Sequence, residues 1–200
     1  MQFSSAGMQF SSARLFVWCY NRCVDRKYTV NVYGLVLRYP PFASKYVRKR
    51  EYLYDRGVVE VRNPLVHARP WKLFLYSLWG SKVVEEGETF VRLQLEENAG
   101  IYLGFESVKD IAEAVKTLAG VVYSHRHDEG ELTFHVLEKA EYKKGEKNFY
   151  LDIPKEFYEL CEEEGLRLYI PFLLHLQSRG EVGLFTFLST RSASVERFKV

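Results

Sequence analysis

The chain has 200 residues, 47% of them hydrophobic and 27% charged, with a formal net charge of +2. These are globular proportions, sufficient for one generous domain or two small ones, and they exclude a chain too polar to bury a core. Runs such as 15–20 and 168–176 fall short of the ~20 apolar residues of a membrane span, and the cysteines Cys19, Cys23 and Cys161 form no secreted disulfide framework.

The motif MQFSSA occurs at 1–6 and again at 8–13, so 1–13 is set apart as an artefactual or disordered tail. Residues 14–20 and 27–39 read as strands around a turn at 21–26. In the second, apolar and polar residues alternate before the continuous run Leu35–Leu37, and Pro40-Pro41 ends it. Within 42–56, Tyr46, Lys49, Arg50 and Leu53 fall at helical spacing with Gly57 as a stop, which would place Lys45, Lys49, Tyr52 and Arg56 on one face. Residues 58–62 alternate as a strand, and 72–79 suit a short buried helix or strand. The segment 80–88 (GSKVVEEGE) is polar and glycine-punctuated and forms the best internal boundary.

Strands are expected at 90–95 and 101–105. Ser107 and Asp110 outline an N-terminal cap for a helix in which Val108, Ile111, Ala112, Val115, Leu118 and Ala119 share a stripe. Segments 121–127 and 131–138 form a hairpin around Asp128-Glu129-Gly130, 148–153 is a strand, and Pro154 opens a helix over 155–164. Segments 166–176 and 182–188 read as strands. The expected fold is α+β, with mixed, mainly antiparallel sheets and two or three helices. From 101 onward its element order is similar to a ferredoxin-like unit.

Charge divides the chain. Residues 1–82 hold 14 Lys and Arg against four acids, and 83–200 hold 14 against 22. The expected organisation is therefore a basic, aromatic-rich part over 14–83 and an acidic α+β part over 84–200, as two units or one compact domain. The chain contains 14 Tyr, 14 Phe and 3 Trp, a supply that suits strands first and stacking platforms second. Few Asn and Gln beside many Glu, Lys and Arg is a thermophile-like, archaeal-like bias. A Cys19–Cys23 bridge stays open on the same grounds.

Cations are densest between 45 and 72. Phosphate needs cations and bases need π-faces. Lys45, Arg48, Lys49, Arg50, Arg56, Arg62 and Arg69 are candidates for phosphate, and Tyr46, Tyr52 and Trp71 for bases. With a three-residue hairpin loop, His125, His127 and His135 share a face with Glu131, a candidate metal cluster weighed against a solvated sheet face. Asp128 and the Glu141-Tyr142-Lys143 triplet are spaced as in PD-(D/E)xK nucleases, a resemblance that implies Mg²⁺ held by two carboxylates. Asp128 lacks the preceding proline, and the triplet lies in a charged run (EYKKGEK) that reads as a turn. No phosphate-cradling glycine loop, dinucleotide fingerprint or nucleophile elbow is present, so catalysis and a cofactor are not expected.

The sequence points first to a non-catalytic, cytoplasmic nucleic-acid-binding protein without a membrane partner. An assembly subunit that docks an acidic protein surface, or itself, through opposite charges is the second expectation. A metal-dependent nuclease is the third.

Overall fold

The computed structural model describes residues 26–54 and 57–191. The expected strand at 14–20, the turn at 21–26, Arg56 and the Cys19/Cys23 pair lie outside the described residues or at their edge. Among the described residues ten strands and seven helices form an α+β fold with three antiparallel sheets.

After a 3-10 turn, β1 (Thr29–Tyr33) is followed directly by helix α1 (Gly34–Arg38). A short apolar run cannot be assigned by periodicity alone, and Leu35, Val36 and Leu37 are buried in a helical turn rather than a strand. Strands β2 (Lys49–Tyr54) and β3 (Gly57–Arg62) pair antiparallel, so the expected helical face is absent from the described residues 45–54. Helix α2 (Ala68–Gly80) precedes β4 (Lys82–Glu86) and β5 (Phe90–Glu96). The expected strand at 101–105 is replaced by the short helix α3 (Ala99–Tyr102). At Gly100 an added Cβ would lie 2.4 Å from Ile111 Cδ1, so a larger residue in this turn would make the Ile111 side chain shift.

Helix α4 (Val108–Ala119) starts as read, with Ser107 Oγ accepting the Asp110 N–H at 3.2 Å. It leads to the hairpin β6 (Val122–His127) and β7 (Gly130–His135), then β8 (Lys139–Lys143) and β9 (Asn148–Pro154). Helix α5 (Lys155–Glu163), β10 (Gly165–Tyr169), α6 (Ile170–His175) and α7 (Arg179–Ser189) follow. The last two replace expected strand. A complete capping box starts α7: Ser178 Oγ accepts from Glu181 N, and Glu181 Oε2 accepts from Ser178 N.

The sheet orders are β1–β10, β2–β3–β6–β7 and β4–β5–β9–β8. A single ferredoxin-like sheet is therefore absent from the described residues, because β6–β7, β8–β9 and β10 belong to three different sheets. Strands from the basic and acidic stretches pair directly: β1 with β10, and β3 with β6.

One contiguous core runs from Val32 to Phe185. Inside it a column of stacked rings joins three elements: Trp71 and Phe74 on α2 (5.2 Å), Phe157 on α5 (5.9 Å from Phe74), and Phe134 on β7 (4.8 Å from Phe157). Tyr123 on β6 completes the column at 5.6 Å from Phe134. Offset rings contribute ~0.5–1.5 kcal/mol per pair beyond the area they bury. Trp71 is 0% exposed, which corrects its assignment as a base-stacking residue: it is a core residue. Trp71→Ala is expected to lower unfolding free energy in urea by about 3–5 kcal/mol through the cavity it leaves. A loss below 1 kcal/mol would contradict its place in the column.

Candidate nucleic-acid interface

The four-stranded sheet β2–β3–β6–β7 has one face on the core and one open. Lys49, Glu51 and Leu53 of β2 lie on the open face, with Glu60 and Arg62 of β3, Ser124 and Arg126 of β6, and Glu131, Thr133 and His135 of β7. The carboxylate of Glu60 is at its centre. It is 1% exposed, yet it sits on the solvent side of the sheet because cations cover it. Lys49 Nζ lies 2.5 Å from Oε2, Arg62 Nε 2.5 Å from Oε1, and Arg126 Nη2 3.2 Å from Oε2. A buried carboxylate is tolerable only when its charge and lone pairs are matched, and these groups match it. Lys49 also meets Glu51 at 2.9 Å, and Arg126 meets Glu131 at 3.3 Å. Three cations therefore face three carboxylates, and these described side chains leave no net charge to offer phosphate.

This separates the expected phosphate ligands into two groups. Lys49 and Arg62 are held on Glu60. Lys72, from the same basic run, is buried: its ammonium donates to the carbonyls of Leu174 and Leu176 at 2.9 Å each, closing the C-terminal end of α6. Burial, together with Arg69, lowers its pKa. By contrast Lys45, Arg48, Arg50 and Arg69 are exposed and form no ion pair with described residues. Tyr46 is 82% exposed, with Lys45 Nζ 5.0 Å from its ring centre.

Two of these residues, Arg50 and Tyr52, line a cleft of about 510 Å³ formed by the 40–47 loop, β2 and the start of α7. The loop is pinned in place. Ala43 N donates to Leu65 O at 3.0 Å, Leu65 N donates to Pro41 O at 2.5 Å, and Phe42 is buried. Arg50 Nη1 donates to Phe42 O at 3.0 Å, and its guanidinium sits 6.0 Å from the Tyr52 ring. From the opposite wall Arg179 Nη1 donates to the next carbonyl, Ala43 O, at 2.5 Å. Sequence reading missed Arg179, which lies far along the chain inside the acidic stretch. The capping-box pattern Ser178-x-x-Glu181 marks the start of its helix, but only tertiary packing brings that start to Ala43.

Among the described residues no carboxylate lines this cleft, and Glu181 beside it accepts from the N–H groups of Gln177 and Ser178. The larger cleft, about 660 Å³, is lined by Glu96, Glu97, Glu106 and Glu146 with Lys147 and would repel phosphate.

The expected histidine cluster is split. The hairpin pairs Tyr123 with Phe134 and His127 with Gly130, leaving a two-residue loop. That one-residue change of register puts His135 and Glu131 on the face opposite His125 and His127. His125 and His127 remain neighbours, with ring centres 5.2 Å apart, and burial followed by His127 lowers the His125 pKa. Glu141 and Lys143 sit in edge strand β8, whereas Asp128 is in the β6–β7 turn of another sheet. Among the described residues no three His, Cys, Asp or Glu side chains are grouped to hold a metal ion. Nor is any described helix long and apolar enough to cross a membrane.

Compared with known proteins, the chain matches no family model, no curated protein and no solved structure.

Glu60 ties the sheet to pH. Hydrogen bonds from Lys49 first and Arg62 next hold its pKa below the usual 4.5. A carboxyl lowered in the folded state stabilises the fold above its unfolded pKa and loses that contribution as pH falls through the folded value. Glu60→Gln is therefore expected to cost about 1–3 kcal/mol at pH 7. Its difference from wild type should shrink in urea melts below pH 4.5. A difference that is constant with pH would contradict this role.

Proposed function

We propose that the protein binds nucleic acid without catalysing a reaction on it, through the Arg50–Arg179 cleft and the cations around it. The observation that carries this reading is the pair of guanidiniums held by consecutive main-chain carbonyls, Phe42 O and Ala43 O, with no carboxylate among the described residues that line the cleft. Arginine oriented by a neutral acceptor keeps its charge for a ligand, and its planar fork suits phosphate oxygens. Lys45 and Arg48 extend the positive rim along the adjoining loop, and Tyr46 and Tyr52 supply π-faces beside it. A strand would lie with its backbone on these cations and unpaired bases against the rings.

Binding of this kind releases counterions, with a slope of about −0.7 in log K against log salt for each single-strand phosphate neutralised. Fluorescence anisotropy with a uridine-rich RNA and its DNA equivalent should therefore show affinity falling steeply with salt. Arg50→Gln with Arg179→Gln should reduce the magnitude of the slope by about 1.4. Lys49→Gln and Arg62→Gln should leave it nearly unchanged, because those cations answer Glu60. Binding that is flat with salt, or slopes that fall equally in both pairs of variants, would overturn the reading.

A second reading is an assembly subunit. Its support is the carboxylate-lined cleft beside Ile101 and Tyr102, which are 76% and 65% exposed on α3. An acidic rim around exposed apolar groups suits a basic protein surface, another copy of this chain included. Sedimentation velocity at low and high salt tests it: a monomer throughout would remove self-assembly.

A further inference from the structure

We infer that the cleft accepts one unpaired nucleoside monophosphate unit, its phosphate between Arg50 and Arg179 and its base against the apolar wall of Tyr52, Val47 and Leu184. The inference rests on the nucleic-acid reading and narrows it to a unit of recognition.

Three observations lead there. The first is electrostatic. Arg50 and Arg179 donate to neighbouring carbonyls of one dipeptide and both line the same cleft, so two cations border it. Only Nη1 of each is engaged, leaving Nε and Nη2 of both without an acceptor among the described residues. A phosphate placed in the cleft can accept from both forks.

The second is the wall. Leu184 is 59% exposed and Val47 36% exposed at the cleft mouth, an apolar surface directly beside the two cations. The wall exists because α7 packs against the loop: an added Cβ at Gly183 would be in ordinary contact, 3.5 Å, with the Phe42 ring. Inorganic phosphate makes no use of this surface, and a stacked duplex keeps its bases away from it. A phosphate joined to an exposed base uses both halves.

The third is size. About 510 Å³ falls within the ~300–1,000 Å³ of pockets that enclose a single small ligand. Tyr52 is already backed by Tyr39, with ring centres 4.9 Å apart, so its position is fixed before a base arrives. The same chemistry could come from a free nucleotide or from one nucleotide within a strand.

The test is calorimetric titration of the full chain with adenosine monophosphate, adenosine, inorganic phosphate and a uridine-rich oligonucleotide, with competition between the first and last. Adenosine monophosphate should bind and compete, and adenosine and phosphate should each be at least about tenfold weaker. Arg179→Gln should weaken adenosine monophosphate by about 10–100-fold, the value of one charge-assisted interaction. Leu184→Ser should weaken it while leaving inorganic phosphate unchanged; both variants alter exposed positions, and thermal melts will confirm that they fold. Oligonucleotide binding that depends on Arg50 and Arg179 but is not displaced by adenosine monophosphate would overturn the inference and leave the nucleic-acid reading standing. Adenosine monophosphate binding without oligonucleotide binding would support the cleft's chemistry, assign it to a free nucleotide and overturn the nucleic-acid reading. Binding of neither ligand would overturn both.

Discussion

A single carboxylate, Glu60, decides how the positive charge of this protein is distributed. It stands on β3, the strand that joins the β2 and β6 neighbours of the four-stranded sheet, and it is buried on a face that is otherwise open to solvent. Burying an anion there requires cations close by, and Lys49, Arg62 and Arg126 from three adjacent strands supply them. Together with Glu51 and Glu131 the face becomes neutral, although the surrounding sequence is strongly basic. In the basic run Lys45, Arg48, Arg50 and Arg69 form no ion pair with described residues, and the first three of them lie in the 44–50 segment, where Arg50 enters the cleft.

The aromatic residues divide in a similar way. Trp71, Phe74, Phe157, Phe134 and Tyr123 form the interior column that ties two helices to the sheet. Tyr46 is exposed and Tyr52 half-buried against the core, each beside a cation without an ion pair among the described residues. Tyr123 reaches further, donating its hydroxyl to Tyr39 O at 2.7 Å and so fixing the segment that enters the cleft loop. The interior column and the cleft are thus linked mechanically: the core holds the loop, and the loop's carbonyls orient the two arginines.

Much of the fold was legible because its signals are local. The Ser107 cap and the stripe that follows define α4, Pro154 marks the start of α5, and alternation identifies β3, β5 and β9. The errors have specific physical origins. Leu35–Leu37, 170–175 and 182–188 are short and apolar all round, a pattern shared by buried strands and buried helices. For α7 the Ser178-x-x-Glu181 box was present and would have settled the question. In the β6–β7 hairpin a loop shorter by one residue reversed the face of every β7 side chain, which split the histidines. The site was half legible. Its basic, aromatic segment could be read, but the pairing of Lys49 and Arg62 with Glu60, the burial of Trp71 and the arrival of Arg179 from 136 residues away are tertiary facts without a local signature.

Under the proposed function the usable positive surface is the cleft and not the sheet. Ultraviolet crosslinking of the full chain to a uridine-rich single strand at low salt, read by mass spectrometry, locates the contact directly. The account predicts crosslinks at Tyr52, Tyr46 and the peptides that carry Arg50 and Arg179. Crosslinks concentrated on the open-face residues of β3, β6 and β7, with none on the cleft loop, would contradict it.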